Sequence, residues 1–403
     1  MYSIVFMIGL LGLSSCSKST TTTAGSDAAV VADTTPQDVA VADLLIPVDA
    51  SPTDSFSIAD SSIVPTPAYK LGFIGTVMGK VFIIDLATMK KLAYVGEGHY
   101  NVHGCGPTPG QKQVWYGNPD VPQIERFDMQ GNDPTNWLQA KTVPSPTQLG
   151  AMAISAGGSV LLTCDGTVEL YNSFQTQDPM NTGKHVAVFD LKTETYRGVV
   201  DVSPSFAVVP TADGSKTYVG TWSENKVQVL DNVTLKLTGS WPLPMTPGKK
   251  WGGPSGMTLS HDEKTLGIGG WDGNAAFFVD TTTGAAQAIP VGGTGIVHWA
   301  AFSPDDKMAY FSTFDYLPDQ GNEANNVNVP SRIIYVDRTT NKIVKEVNWS
   351  HFVGHVGTAP GLDQIFVTAS FGTVLRYDGT SGELTGQVQL YSGQPMPSSI
   401  PSF

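Results

Sequence analysis

The stretch Ala301–Ser312, "AFSPDDKMAYFS", and its continuation Ile333–Val347, "IIYVDRTTNKIVKEV", decide the fold. Each holds two short apolar runs separated by turn-forming residues, Pro304-Asp305-Asp306 in one and Asp337 to Asn341 in the other. Short runs rich in Ile, Val, Tyr and Phe between such turns read as neighbouring β-strands. Working outward, the spacing predicts four strands: His298–Asp305, Lys307–Phe314, Arg332–Thr339 and Lys342–Trp349. Four strands joined in sequence make one antiparallel sheet.

The third strand of this unit recurs along the chain. It appears as VFIIDLAT at Asp85, IERFDMQG at Asp128, VAVFDLKT at Asp190 and VQVLDNVT at Asp231. It returns as FFVDTTTG at Asp280, IIYVDRTT at Asp337 and VLRYDGTS at Asp378. The spacings are 43, 62, 41, 49, 57 and 41 residues. A period just above 40 built from short strands marks propeller blades. The expected fold is therefore all-β, a seven-bladed β-propeller of four-stranded antiparallel blades over residues 68–403. The repeated aspartate reads as a turn former whose carboxylate takes backbone amides ahead of it, with no catalytic role. The 43 glycines and 27 prolines suit short strands with many turns.

The sixth repeat, with "PTADGSKTYVG" from Pro210 and "LSHDEKTLGI" from Leu259, resembles the YVTN family of β-propellers, which is WD-repeat-like. The resemblance covers about residues 68–403. It implies the architecture and is nearly silent on activity. The first repeat supplies only Tyr69–Val77, Gly79–Asp85 and Lys91–Val95, so its inner strand is missing. Gly393–Phe403 falls where a final inner strand would close the ring, although proline cannot donate to a ladder there.

Before the repeats the chain changes character. Ile4–Leu13 is an apolar run too short to span a bilayer and suited to a secretory signal. It ends at Leu13-Ser14-Ser15-Cys16, which resembles a bacterial lipobox and implies lipidation of Cys16, although the preceding Met-Tyr-Ser carries no basic residue. Residues 1–16 are thus read as a lipoprotein signal peptide. Residues 17–67 are read as a disordered Thr/Ser/Ala/Asp/Pro-rich tether, because no apolar period persists there to offset chain entropy. Such a coil of ~50 residues spans roughly 40 Å. Ser17 after the cysteine implies sorting to the outer membrane or cell surface. The expected contact with membrane is through the lipid anchor alone. A net charge of −13 argues against nucleic acid as a partner. A monomer is expected.

Three spacings are long because of segments Asp165–Gly183, Leu243–Gly253 and Asp315–Pro330. All three connect strands on one face of the ring. Long loops on a rigid scaffold are where binding residues collect. The reading is a ligand- or partner-binding propeller whose loop-rich face takes a protein, peptide or glycan. Trp251 and Trp299 adjoin that face and could stack on a sugar or peptide.

Five of the seven histidines fall on the same face in this register. His103, His298 and His355 open the inner strands of the second, sixth and seventh blades. His99 and His351 lie in the connections just before. Imidazole is a preferred ligand of copper, zinc and iron, and three of them leave a position open. Related propellers include enzymes with histidine-ligated copper near the axis, such as the nitrous-oxide reductase and methanethiol oxidase families, whose motifs are not matched here residue by residue. The alternatives are thus a metal-dependent oxidoreductase, copper before iron or zinc, and a purely structural envelope protein. Cys105 and Cys164 are candidates for a disulfide, and Cys105 for a soft metal ligand. There is no Cys-x-x-Cys-His haem motif and no nucleotide-binding motif.

Overall fold

The computed structural model describes residues 5–6 and most of residues 71–390. Residues 1–4, 7–70, 96–103, 130–137, 165–183, 245–252, 315–329 and 391–403, with several shorter stretches, lie outside the described residues. The expected Cys16 and tether are among them. The chain divides into two units, Met1–Leu13 with Thr66–Phe403, and Ser14–Pro65. All described residues belong to the first.

The strands form seven four-stranded sheets, the seven blades that the repeats predict. The sixth blade runs Ile296–Phe302, Met308–Phe314, Ser331–Asp337 and Lys342–Trp349 from the axis outward. Burial follows that order. The middle strands are covered on both faces: Val160–Cys164 is buried at every residue. The outer strand Lys342–Trp349 alternates exposed and half-buried. A strand covered on both faces reads as a continuous apolar run, and an outer strand as an alternating one.

The core is divided among the interfaces between blades. Val114, Tyr116, Phe73 and Ile83 join the first and second blades. Trp115, Leu161 and Phe189 join the second and third. Comparable clusters join the third to the fourth, the fourth to the fifth, the fifth to the sixth and the sixth to the seventh. Ile74, Phe82 and Ile84 pack on Phe366, Val374 and Val388, so the seventh blade also meets the first. Side-chain packing closes the ring.

The innermost place of the first blade departs from the expectation. Val5–Phe6 occupies it and runs parallel to Leu71–Gly75. The segment expected there, Gly393–Phe403, lies outside the described residues. Proline is no bar to an inner strand in this protein. Pro107, Pro210 and Pro254 all sit in inner strands, whose channel-side edge needs no donor.

The repeated aspartates form the turns expected of them. Asp231 accepts the amides of Val233 and Thr234 at 2.9 and 2.8 Å. Asp280 does the same with Thr282 and Thr283, and Asp378 with Thr380 and Ser381. The Thr234 amide holds the Asp231 carboxyl below its usual range, and the Thr283 and Ser381 amides do so for Asp280 and Asp378. Asp128 differs: it pairs with Arg126 at 3.0 Å.

The turns between first and second strands of the fourth, fifth and sixth blades are stitched to one another. Gly214 holds φ +72° in the fourth blade's turn, a region open to glycine. Glu263 and Asp306 occupy the matching place in the next two blades at φ +59° and +58°. That strain has a return. Asp306 accepts the amides of His261 and Asp262 at 3.0 and 2.9 Å, and the His261 ring nitrogen Nδ1 lies 2.7 Å away. Glu263 accepts the Ala212 amide.

Two effects oppose each other in Asp306→Gly: backbone strain is relieved, and three charge-assisted bonds between blades are lost. Such bonds contribute ~1.5–3 kcal/mol each before strain is subtracted, so the loss dominates. Urea unfolding should show a net destabilisation of roughly 3 kcal/mol or more. A gain in stability would refute the stitching role.

Candidate functional site at the loop-bearing rim

Strand direction sets which rim carries the loops. Cys164 pairs with Val186, Phe314 with Ser331 and Pro254 with Gly270, all at the same end of their blades. Segments 165–183, 315–329 and 245–252 therefore leave and rejoin the ring at one rim. The opposite rim carries the short aspartate turns.

At that rim the inner strands are irregular in a shared way. The sixth blade's register shifts between Val297 and Trp299, leaving His298 as the extra residue. In the seventh, Gly354 and His355 together face one residue, Thr368. In the fifth, Ser255 and Gly256 face Gly269. A bulge re-aims the side chain at the point where it falls. Here it turns two histidines into one neighbourhood. Their ring centroids lie 4.9 Å apart.

Trp299 fixes the pair from the axial side. Its ring stands edge-on to His355 at 4.2 Å. It lies over Gly256 of the fifth blade, where an added Cβ would fall 2.1 Å from the indole. Only glycine admits it there. Ser255 Oγ donates to the His298 carbonyl at 2.8 Å, and the His355 amide donates to Thr368 Oγ1 at 2.9 Å.

His298 is buried and its Nδ1 has no hydrogen-bond partner among the described residues. Burial lowers its pKa to about 4, while a hydrogen bond with the Gly354 backbone opposes that shift. The imidazole is neutral near pH 7. The Gly354 carbonyl takes the proton of the other ring nitrogen, so Nδ1 presents a lone pair.

Of the five histidines expected at the rim, the structure brings His298 and His355 together. His103, His99 and His351 lie outside the described residues. Among the described residues no three His, Cys, Asp or Glu side chains are grouped to hold a metal ion. His298 and His355 can supply two imidazoles, and a carbonyl on the far nitrogen of His298 is what a metal-ligating histidine has. His185 lies outside the cluster, its imidazole 3.4 Å from Asp201. His261 lies at the opposite rim, on Asp306.

The two candidate disulfide cysteines, Cys105 and Cys164, are both buried. Cys105 packs between the first and second blades and Cys164 between the third and fourth. Burial pushes the Cys105 thiol up to about 12, so its thiolate is scarce at neutral pH.

Aromatic residues complete the rim, and sequence reasoning missed them. Trp271 and Phe314 lie 6.2 and 5.5 Å from the His298 ring, and Phe352 lies 4.8 Å from Phe314. Each sits at or just beyond the rim end of a strand, the one signal that could have found them. Trp251 lies outside the described residues. Below Trp299 the inner strands enclose an axial cavity of about 250 Å³. It reaches His261 and Glu263 at the opposite rim.

Fold and rim together define a class, a seven-bladed β-propeller with one loop-bearing rim. No family model matches the chain, and no curated protein matches it in sequence.

The neutral state of His298 has a pH signature. Unfolded, its pKa is about 6.5; folded, it is about 4. As pH falls from 6.5 to 4 the unfolded chain takes up a proton that the folded one refuses. Stability therefore falls with pH over that window, by up to about 3 kcal/mol from this group. Urea midpoints at pH 7 and 4.5 should converge in His298→Gln relative to the wild type. An unchanged gap would contradict the assignment.

Proposed function

We propose that the protein is a lipid-anchored, extracytoplasmic propeller of YVTN type that binds a ligand or partner at its loop-bearing rim. One observation carries this reading: three long segments leave the ring at the same rim, above a buried histidine and aromatic cluster, while the opposite rim carries short turns. Loops anchored on a rigid scaffold supply recognition at little cost in scaffold entropy. Cys16 is the proposed lipidation site; cleavage before it would remove Val5–Phe6 and free the innermost place of the first blade, and residues 17–67 would hold the ring away from the bilayer.

Both parts can be tested in cells. Cys16→Ala should move the protein from the membrane fraction to the soluble fraction and abolish labelling by radioactive palmitate. A photo-crosslinking residue at Gln177 or Gln320 should give adducts in intact cells. The same residue at Thr282 or Thr339, on the opposite rim, should give none. Adducts from the turn rim alone would reverse the assignment of the binding face.

A second reading is favoured by the closeness of His298 and His355, 4.9 Å between ring centroids. In it the rim histidines hold a metal, copper before iron or zinc, in the service of an oxidoreductase. Bound metal would act as a Lewis acid or redox centre, while Trp299 and Ser255 would hold the two imidazoles in place. On this reading, purified protein carries stoichiometric metal that His103→Ala/His298→Ala/His355→Ala lacks. Equal metal content in both would dismiss it.

A further inference from the structure

We propose that Ile400-Pro401-Ser402 docks as the inner strand of the first blade once Val5–Phe6 has been cut away, in the register that Val209-Pro210-Thr211 holds in the fourth. The proposal rests on the reading that the chain is cleaved before Cys16, and it names what then fills the vacated place.

The other six blades share one register. The last residue of the inner strand faces the second residue of the next strand: Pro107 faces Val114, Pro210 faces Thr217 and Phe302 faces Ala309. The third, fifth and seventh blades agree. In every blade from the second to the sixth, the residue that follows is Ser or Thr. Its amide donates to the carbonyl of the next strand's first residue, as Thr108 does to Gln113 at 2.8 Å and Thr211 to Lys216 at 2.9 Å. In the third to sixth blades its hydroxyl accepts that residue's amide at 2.9–3.2 Å. Successive amides along a strand point to opposite edges. The Thr108 and Thr211 amides point into the ladder, so Pro107 and Pro210 turn their nitrogens to the channel. No donor is needed there.

Two tripeptides beyond Leu390 carry the same chemistry, Met396-Pro397-Ser398 and Ile400-Pro401-Ser402. Connection length decides between them. From the end of one outer strand to the last residue of the next inner strand, the six blades use 9 to 17 residues. Pro397 lies 8 residues after Gln389, shorter than any of these. Pro401 lies 12 after it, as Pro107 does after Val95 and Phe302 after Pro290.

The first blade offers the matching edge. Leu71 pairs with Asp85 as Met308 pairs with Asp337, so the two are equivalent. The Met308 carbonyl accepts the Ser303 amide from the inner strand. By alternation Leu71, Phe73 and Gly75 turn their amides and carbonyls to the inner place. Pro401 then faces Gly72, and the amides of Ser398, Ile400 and Ser402 enter the ladder. Val5–Phe6 runs parallel to Leu71–Gly75, whereas the inner strands of the other six blades are antiparallel. A strand arriving from the seventh blade restores the antiparallel sense. Leu390 leaves that blade against the first: it packs with Ile74 and Phe82, and its carbonyl accepts Lys91 Nζ at 2.8 Å.

The test uses the chain from Ser17 onward, exported behind a cleavable signal, so that Val5–Phe6 is absent whatever happens at Cys16. Nuclear magnetic resonance follows amide exchange at Phe73 and Gly75, and light scattering follows mass. In the wild type both amides should be protected in a monomer, and the α-protons of Pro401 and Gly72 should be in contact. Ser398→Pro and Ser402→Pro each remove a donor on the ladder side and should speed exchange at Phe73 about tenfold or more. Ser399→Pro removes a donor on the channel side and should leave it unchanged. The proposal is overturned if the wild type lacks the Pro401–Gly72 contact, or if Ser399→Pro acts as strongly as Ser402→Pro. It is also overturned if Ser398→Pro acts and Ser402→Pro does not, which would move the register to Pro397. Protection found only in a dimer would put a second copy's strand in the place, and would overturn it too. The wild-type contact decides the matter where a proline variant fails to fold. If Cys16→Ala leaves the protein in the membrane fraction, the lipoprotein reading falls, and these measurements still judge the closure.

Discussion

The structure depends on packing between blades. A four-stranded sheet that is apolar on both faces cannot bury either face by itself, and each blade here is such a sheet. Val160–Cys164 and Leu71–Gly75 are buried at every residue only because another blade lies on each side. The cluster of Ile74, Phe82, Phe366 and Val374 matters most, because it joins the last blade to the first. With that interface filled, no blade is terminal. The inner strands are then held at fixed positions around one axis, and the geometry of the rim follows from theirs.

What the ring fixes at the rim is a set of contacts between neighbouring blades. Trp299 of the sixth blade reaches over Gly256 of the fifth and meets His355 of the seventh. The bulges in these strands are of the same kind, so the residues they re-aim converge. At the other rim the stitching is electrostatic: Glu263 and Asp306 each accept strain to bond the preceding turn. One rim is thus bound tightly turn to turn. The other carries the long segments, a division suited to recognition on one side.

Much of this was legible in the chain. The aspartate that ends each third strand is needed at one place in a tight turn, so Asp231, Asp280 and Asp378 announced the repeat directly. The repeat then placed His298 and His355 together although 57 residues separate them. Other features left no local mark. A bulge adds one residue to a strand and has no composition of its own, so the re-aiming of His298 could not be read. Trp271, Phe314 and Phe352 come from three blades, and their grouping depends on ring closure. The separate interfaces of Cys105 and Cys164 were hidden for a related reason. The register put both near one rim, yet side chains in a blade point to alternate faces, and these two enter different interfaces. The strand beside Leu71–Gly75 was expected from Gly393–Phe403, and Val5–Phe6 holds that place in the structure.

At the rim, His298 is buried and neutral and offers Nδ1 as an acceptor. Nitrogen-15 spectra of protein labelled at its histidine rings, recorded from pH 5 to 8, measure this directly. The His298 signals should stay constant across the range, with Nδ1 at the shift of an unprotonated nitrogen and Nε2 at that of a protonated one. A His298 signal that titrates near pH 6.5, or that shows the proton on Nδ1, would contradict it.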